Sequence, residues 1–339
     1  MRVYRNEGTF SSCARIFRDV LMGTLTPARL ANGAVAAVDY LLGREHPRSM
    51  PMVAKLETAN LCNLRCPYCL HGEDPRGEAF RNKRYMTLET FQTVIDQMGR
   101  HLLALILYHK GEPFLNKELL DMCALAREQR IATIVSSNFS LKFTDAEIED
   151  IVQRGPTYLT ISLDGITQEI YETYRVGGKI DLVLDNLRRL VAAKRQREAA
   201  SPIIAWQFID FDHNRHQLVE AERLAREIGV DNFVVTRNRE GLTHDGHKLG
   251  ALNRAPARTG RFPFKCKWLW TLPVILYDGE SVPCCDYDWR RDKHMGNISG
   301  GFASIWHGAD YALNRRIVTN QSSCIDHPNA HCAACPLKG

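Results

Sequence analysis

The sequence has no long hydrophobic run. Its longest apolar stretches, such as Leu102 to Tyr108, fall far short of the ~20 residues that a membrane-spanning helix needs. It has no basic, then apolar, then small-residue opening of the kind that directs secretion. It also has no internal repeat and no low-complexity segment. Charge is nearly balanced: 44 basic residues against 39 acidic ones leave a formal +5 over 339 residues. That excess is too mild to mark a nucleic-acid binder. What remains is the composition of a cytoplasmic globular protein, 45% hydrophobic and 24% charged, able to bury a full core without a membrane partner.

Cysteine is not lacking. Of eleven, three lie within residues 62–69 and six lie beyond residue 265. In a reducing compartment, thiols clustered this way bind metal more often than they pair as disulfides. Cys13 and Cys123 stand apart and read as packing residues.

The first 50 residues read as a helical extension. Thr26 is a natural N-cap, Pro27 suits the first helical position, and the apolar run 33–38 predicts an amphipathic helix packed on the main domain. Pro47 and Pro51 mark the junction. From 51 to 240 the pattern alternates. Strands are expected at 53–58, 103–108, 132–136, 158–163, 203–208 and 233–236. Helices are expected at 87–98, 117–128, 145–154, 181–197 and 217–228. Such alternation implies right-handed crossovers and a parallel sheet, and six units predict an α/β fold of the partial (β/α)6 TIM-like barrel type. Residues 241–264 read as a linker. Residues 265–339 read as a small module with a hairpin turning at Asp278-Gly279, followed by a short helix near 305–317.

The first strand runs into Cys62-Asn-Leu-Arg-Cys66-Pro-Tyr-Cys69. A loop this short can fold three thiolates around one cubane, each on a separate iron. No fourth cysteine is near, so the fourth iron stays open for an exogenous ligand, as catalytic metal sites require. Zinc, with His71 as a fourth ligand, and a redox Cys66–Cys69 pair are the competing readings. Placement after a barrel's first strand favours the cluster, because loops at strand ends carry barrel active sites.

This segment resembles the Cys-x3-Cys-x2-Cys signature of the radical S-adenosylmethionine superfamily, with the aromatic Tyr68 before its last cysteine. The resemblance implies a [4Fe–4S] cluster on Cys62, Cys66 and Cys69 that binds S-adenosylmethionine and cleaves it reductively to a 5′-deoxyadenosyl radical. Lys110-Gly111-Glu112-Pro113 is similar to the family's Gly-Gly-Glu-Pro motif, with lysine in the first position. It implies that Gly111 permits close approach and that Glu112 accepts from the cofactor ammonium. Ser137-Asn138 resembles the ribose-lining segment, and Ser162-Leu-Asp164-Gly165 the Ser-x-Asp-Gly motif. Arg175 falls where relatives place an arginine on the cofactor carboxylate. Gln207 is a further ribose or substrate candidate. An electron donor such as flavodoxin or ferredoxin is implied as a partner.

Cys266-x12-Gly279-x4-Cys284 looks like the opening of a SPASM or shorter twitch module, and Cys332-Ala-Ala-Cys335 like its close. With no central cysteine run, the twitch form is expected: one auxiliary [4Fe–4S] cluster on Cys266, Cys284, Cys332 and Cys335. A structural zinc is the competing reading. Asp286 and Cys285 are candidate catalytic residues, as proton acceptor and hydrogen-atom donor; Cys324 is left without a role.

The expected function is radical hydrogen abstraction from a small polar metabolite, a sugar, aminocyclitol or nucleotide-like compound, ending in dehydrogenation or epimerisation. The alternative is a peptide- or protein-modifying enzyme, disfavoured because the short helical extension is no β-rich leader-binding domain. A non-catalytic iron–sulfur or zinc protein leaves the Gly-Glu-Pro, Ser-x-Asp-Gly and Arg175 set unexplained.

Overall fold

The computed structural model describes residues 1–5, 17–67, 69–73, 84–237, 266–284, 294–322 and 326–335. They form two compact units, each assembled from separate stretches of chain.

One unit takes the described residues of 1–24, 59–84 and 110–248. Its strands are β1 (Arg2–Arg5), β4 (Ala132–Ser137), β5 (Tyr158–Ser162), β6 (Ile203–Asp210) and β7 (Asn232–Arg237). Their order is β1-β7-β6-β5-β4 and every pairing is parallel. Helices Asp145–Arg154, Ile180–Gln196 and Leu218–Ile228 make the crossovers. Thr144 caps the first of these with a complete capping box, its hydroxyl accepting from Glu147 N at 3.2 Å, which fixes where the helix starts. The inner strands β5 and β6 are largely buried, as covered parallel strands are: Leu159, Ile161, Trp206 and Phe208, with Phe233 on β7, are all at 0% exposure. Each such large side chain contributes about 1.5–3 kcal/mol by leaving water.

The other unit takes 25–58, 85–109 and the described residues after 249. Here β2 (Val53–Leu56), β3 (Ala104–Ile106), β8 (Val274–Ile275), β9 (Glu280–Val282) and β10 (Gly296–Asn297) run in the order β3-β2-β8-β9-β10. β2 is parallel to β3 and β8; β9 is antiparallel to β8 and β10. The Asp278-Gly279 hairpin is present, with Gly279 at φ +84, a backbone region that glycine enters without steric cost.

Two expectations are corrected. The first 50 residues are not all helical: Arg2–Arg5, with β-favouring Val3 and Tyr4, is an edge strand on β7. In the expected C-terminal module, β8 pairs directly with β2, Lys55 opposite Val274 and Leu56 opposite Ile275; the expected linker 241–264 lies outside the described residues. The helix Pro27–Leu42, capped by Thr26 as expected, turns inward its polar residues. Arg29, Asn32 and Asp39 are buried while Leu30, Val38, Leu41 and Leu42 are exposed. Arg29 donates to Gly99 O at 3.1 Å, Asn32 exchanges two hydrogen bonds with Met50, and Asp39 accepts from Ser49 N and Oγ, both at 2.8 Å. These satisfied partners make polar burial affordable. Among the described residues no helix is long and apolar enough to cross a membrane.

Candidate active site

The cysteine loop opens the site. Cys69 N donates to Cys66 O at 3.0 Å and Gly72 N to Cys69 O at 2.8 Å, curling the loop into the short helical turn Leu70–Glu73. A Cβ on Gly72 would lie 2.1 Å from Cys66 O, so only glycine closes this curl. The Gly-Glu-Pro segment lies against the same loop. Glu112 N donates to Leu61 O at 2.8 Å, and a Cβ on Gly111 would meet Ala59 O at 2.2 Å. The close approach expected of Gly111 is therefore to the chain's own loop.

Glu112 is buried at 2% exposure. Its carboxylate accepts from Ser137 Oγ at 2.7 Å, Asn138 N at 2.8 Å and Phe114 N at 3.2 Å. Burial pushes its pKa up to about 7 against the pull of those donors and of the Arg175 cation. A cationic ligand beside it would restore the full negative charge. Asn138 also donates from Nδ2 to Cys62 Sγ at 3.7 Å and to Asn63 Oδ1 at 2.9 Å; Asn63 in turn donates to Ser140 O at 2.8 Å. Cys62 Sγ accepts a second hydrogen bond from Leu64 N at 3.4 Å.

Arg175 is clamped by Asp164, whose Oδ2 lies 2.6 Å from both Nε and a terminal nitrogen of the guanidinium. Asp164 is wholly buried and its Oδ1 accepts from Ile209 N at 2.7 Å. Both carboxylate oxygens thus have partners within the chain, and Asp164 fixes the position of the Arg175 guanidinium. Arg175 in turn reaches the Cys66 thiol. Burial pushes Cys66 up to about 11, opposed by that cation, and Cys62 up to about 12, helped by Glu112.

Cys62, Cys66, Glu112, Ser137, Asn138, Asp164 and Arg175 thus form one connected network. Ser162 stands at its edge, 3.4 Å from Ser136 by their hydroxyls, and Gln207 is paired opposite Ser162 in the sheet. Tyr68 lies outside the described residues. Two contributors escaped the sequence reading. Asn63, inside the Cys-x3-Cys gap, ties the loop to 138–140. Asn186, on the helix Ile180–Gln196, holds Phe139 O at 3.0 Å and Leu141 O at 2.8 Å, fixing a turn where Phe139 takes φ +54.

In the other unit, Cys266, Cys284, Cys332 and Cys335 are not joined in disulfides. Cys284 Sγ lies 3.0 Å from His331 Nε2, and Cys332 N donates to Asn314 Oδ1 at 2.9 Å. Cys284 and Cys332 both act electrostatically on the buried Tyr311 phenol, so they share one interior. Arg315, at 0% exposure, is packed over Trp306 at 4.4 Å and Tyr311 at 5.1 Å. It donates to Leu269 O, Glu45 O and Trp306 O, and burial pulls its pKa down to about 10. Cys285, Asp286 and Cys324 lie outside the described residues, as does Cys13; Cys123 is buried as expected.

The donor sets fit iron–sulfur clusters. Three thiols beside a buried carboxylate and a fixed guanidinium suit an open cubane; four thiols suit a closed one. Among the described residues no three His, Cys, Asp or Glu side chains form a group that could hold a metal ion. A cubane asks for a wider spacing than one ion does, because each thiolate takes a different iron.

A family model described as the radical SAM superfamily matches residues 56–203, and one described as an iron–sulfur cluster-binding domain, SPASM, matches residues 266–336. The tungsten-containing aldehyde ferredoxin oxidoreductase cofactor-modifying protein of Pyrococcus furiosus is 24% identical, across 80% of this chain and 85% of its own length. The mycofactocin maturase MftC of Mycolicibacterium smegmatis is 23% identical over 53% of this chain, which spans 43% of the maturase. The crystal structure of Streptococcus suis SuiB bound to precursor peptide SuiA matches with a TM-score of 0.61 at 14% identity, covering 84% of this chain and 70% of that one. That likeness places the chain in the same α/β fold, the partial barrel with a C-terminal module. The chain belongs to the radical SAM superfamily of enzymes, which work with a [4Fe–4S] cluster and S-adenosylmethionine, and it carries a C-terminal SPASM domain that binds auxiliary iron–sulfur clusters.

Proposed function

We propose that this enzyme modifies a peptide by radical hydrogen abstraction. The observation that carries the radical chemistry is the network joining Cys62 and Cys66 to Glu112, Ser137, Asn138 and Arg175. When bound, the cluster and S-adenosylmethionine supply a 5′-deoxyadenosyl radical that takes a hydrogen atom from the substrate. Cys62, Cys66 and Cys69 would hold the catalytic cluster and leave it open to the cofactor. Glu112 accepts from the cofactor ammonium, held in place by Ser137 and Asn138. Arg175, oriented by Asp164, faces the cofactor carboxylate. Cys266, Cys284, Cys332 and Cys335 hold one auxiliary cluster. A one-electron donor of the flavodoxin or ferredoxin kind completes the system.

A peptide substrate replaces the small metabolite expected from sequence. What supports it is the maturase relative and the likeness to SuiB, captured with a precursor peptide. A second reading, modification of a cofactor, is favoured by the Pyrococcus relative, which is covered over most of its length. The test is to supply anaerobically reconstituted protein with reductant, S-adenosylmethionine and each short peptide encoded beside its gene. The proposal expects 5′-deoxyadenosine formation to rise with one peptide and that peptide to change mass. Substrate-coupled turnover of a small polyol or pterin, with every peptide left intact, contradicts it.

A further inference from the structure

We propose that His331 donates a hydrogen bond to the Cys284 sulfur of the auxiliary cluster and thereby raises that cluster's reduction potential. The inference rests on Cys284 being a ligand of that cluster, as proposed above.

The imidazole Nε2 lies 3.0 Å from Cys284 Sγ, and His331 is 6% exposed. A thiolate bound to iron has no proton to give, so the imidazole is the donor and Nε2 carries the hydrogen. The backbone that carries the ring is anchored. His331 begins the turn His331–Ala334, in which Ala333 N donates to Ala330 O at 3.0 Å and Cys335 N to Cys332 O at 3.3 Å. Asn314, buried at 2% exposure, accepts from Cys332 N and donates to Asp310 O at 2.8 Å. Donor and neighbouring ligand Cys332 therefore sit in one anchored turn, while the accepting sulfur follows β9. The geometry is that of an outer-shell contact to a ligand atom.

Hydrogen bonds to ligand sulfurs are among the factors that set cluster potentials. A reduced cluster carries one more negative charge, and an N–H directed at its sulfur stabilises that charge. No atom is transferred in the step: the cluster takes one electron, supplied by dithionite in the titration below. Nothing in the Cys-Ala-Ala-Cys spacing calls for a histidine before it; its role appears only when Cys284 comes within reach.

The test is an EPR-monitored redox titration of the reconstituted full-length protein against His331→Phe, which keeps a ring without the donor, and His331→Gln, which keeps an N–H. The auxiliary signal is identified as the one that survives Cys62→Ala/Cys66→Ala/Cys69→Ala. The inference expects His331→Phe to lower the auxiliary midpoint with iron and sulfide content retained, and His331→Gln to restore most of the shift. An unchanged midpoint in His331→Phe overturns it. A second measurement needs no variant to fold: wild-type protein labelled with 15N-histidine, its reduced auxiliary cluster examined by pulsed EPR. One weak nitrogen coupling supports the hydrogen bond; no coupling, or the strong coupling of a bonded nitrogen, overturns it. Full iron retention in Cys284→Ala instead shows that the ligand set, and the inference with it, is wrong.

Discussion

The two thiol sites differ in what surrounds them. The Cys62–Cys69 loop is lined by ionisable groups of both signs, a buried carboxylate at Glu112 and a clamped guanidinium at Arg175. Cys284 and Cys332 sit instead among Tyr311, His331 and Asn314. One loop of thiols has opposite charges close by; the other two thiols lie in an aromatic, hydrogen-bonded interior. The contrast teaches that the number of cysteines decides whether a cluster is open, and the neighbouring side chains decide what enters.

The largest effect that sharpens this contrast is deletion of the open site. Cys62→Ala/Cys66→Ala/Cys69→Ala should lower iron from ~8 to ~4 per chain and abolish 5′-deoxyadenosine formation, read by iron assay and chromatography. Loss of all iron would mean that the two sites do not assemble separately.

Arg315→Met tests the other unit. It leaves three carbonyls, two of them buried, without this donor, each buried one costing about 1–3 kcal/mol. Stability measured by denaturant titration should fall by roughly 3 kcal/mol or more, and the auxiliary cluster should be lost before the open one. A near-neutral result would mean the aromatic cage packs equally well around a neutral chain.

Glu112→Gln should weaken S-adenosylmethionine binding by about 2 kcal/mol, the scale of a hydrogen bond to a charged group, with iron unchanged; equilibrium binding measures it. The same residue gives a pH signature. Its folded pKa is raised by burial from 4.5 to about 7, so between these values the folded state holds a proton that the unfolded chain has released. Stability of the cofactor-free protein should therefore fall as pH rises from about 4.5 to about 7, by on the order of 3 kcal/mol. Glu112→Gln should flatten that slope; an unchanged slope would assign it to other groups.

The smallest effect expected is that of Asn63→Ala. It removes the amide that donates to Ser140 O and accepts from Asn138, costing about 1–2 kcal/mol. The readout is faster iron loss to a chelator from the open site alone.

Much of this was legible in the sequence because the informative patterns are local. Strands expected at 132–136, 158–163 and 203–208 are found at 132–137, 158–162 and 203–210, since covered parallel strands read as plain apolar runs. The Cys-x3-Cys-x2-Cys loop stood out by its own spacing, whereas Glu112 and Arg175 were singled out only by what the family resemblance implies. What escaped depends on partners distant in sequence. The partners of Asp164, Arg175 and Ile209, lie 11 and 45 positions away. Arg29 stood in an apolar helix pattern, and its buried partner, Gly99 O, is 70 positions away. His331 and Cys284 are separated by 47 positions, so no window on the sequence holds both.

The central claim is that these two sets of thiols hold iron–sulfur clusters, one open and one closed. The most direct test is metal and acid-labile sulfide analysis of anaerobically isolated protein, followed by Mössbauer spectroscopy with and without S-adenosylmethionine. The account predicts two [4Fe–4S] clusters, with one iron of one cluster changing its signal when S-adenosylmethionine is added. Stoichiometric zinc with no sulfide would contradict it.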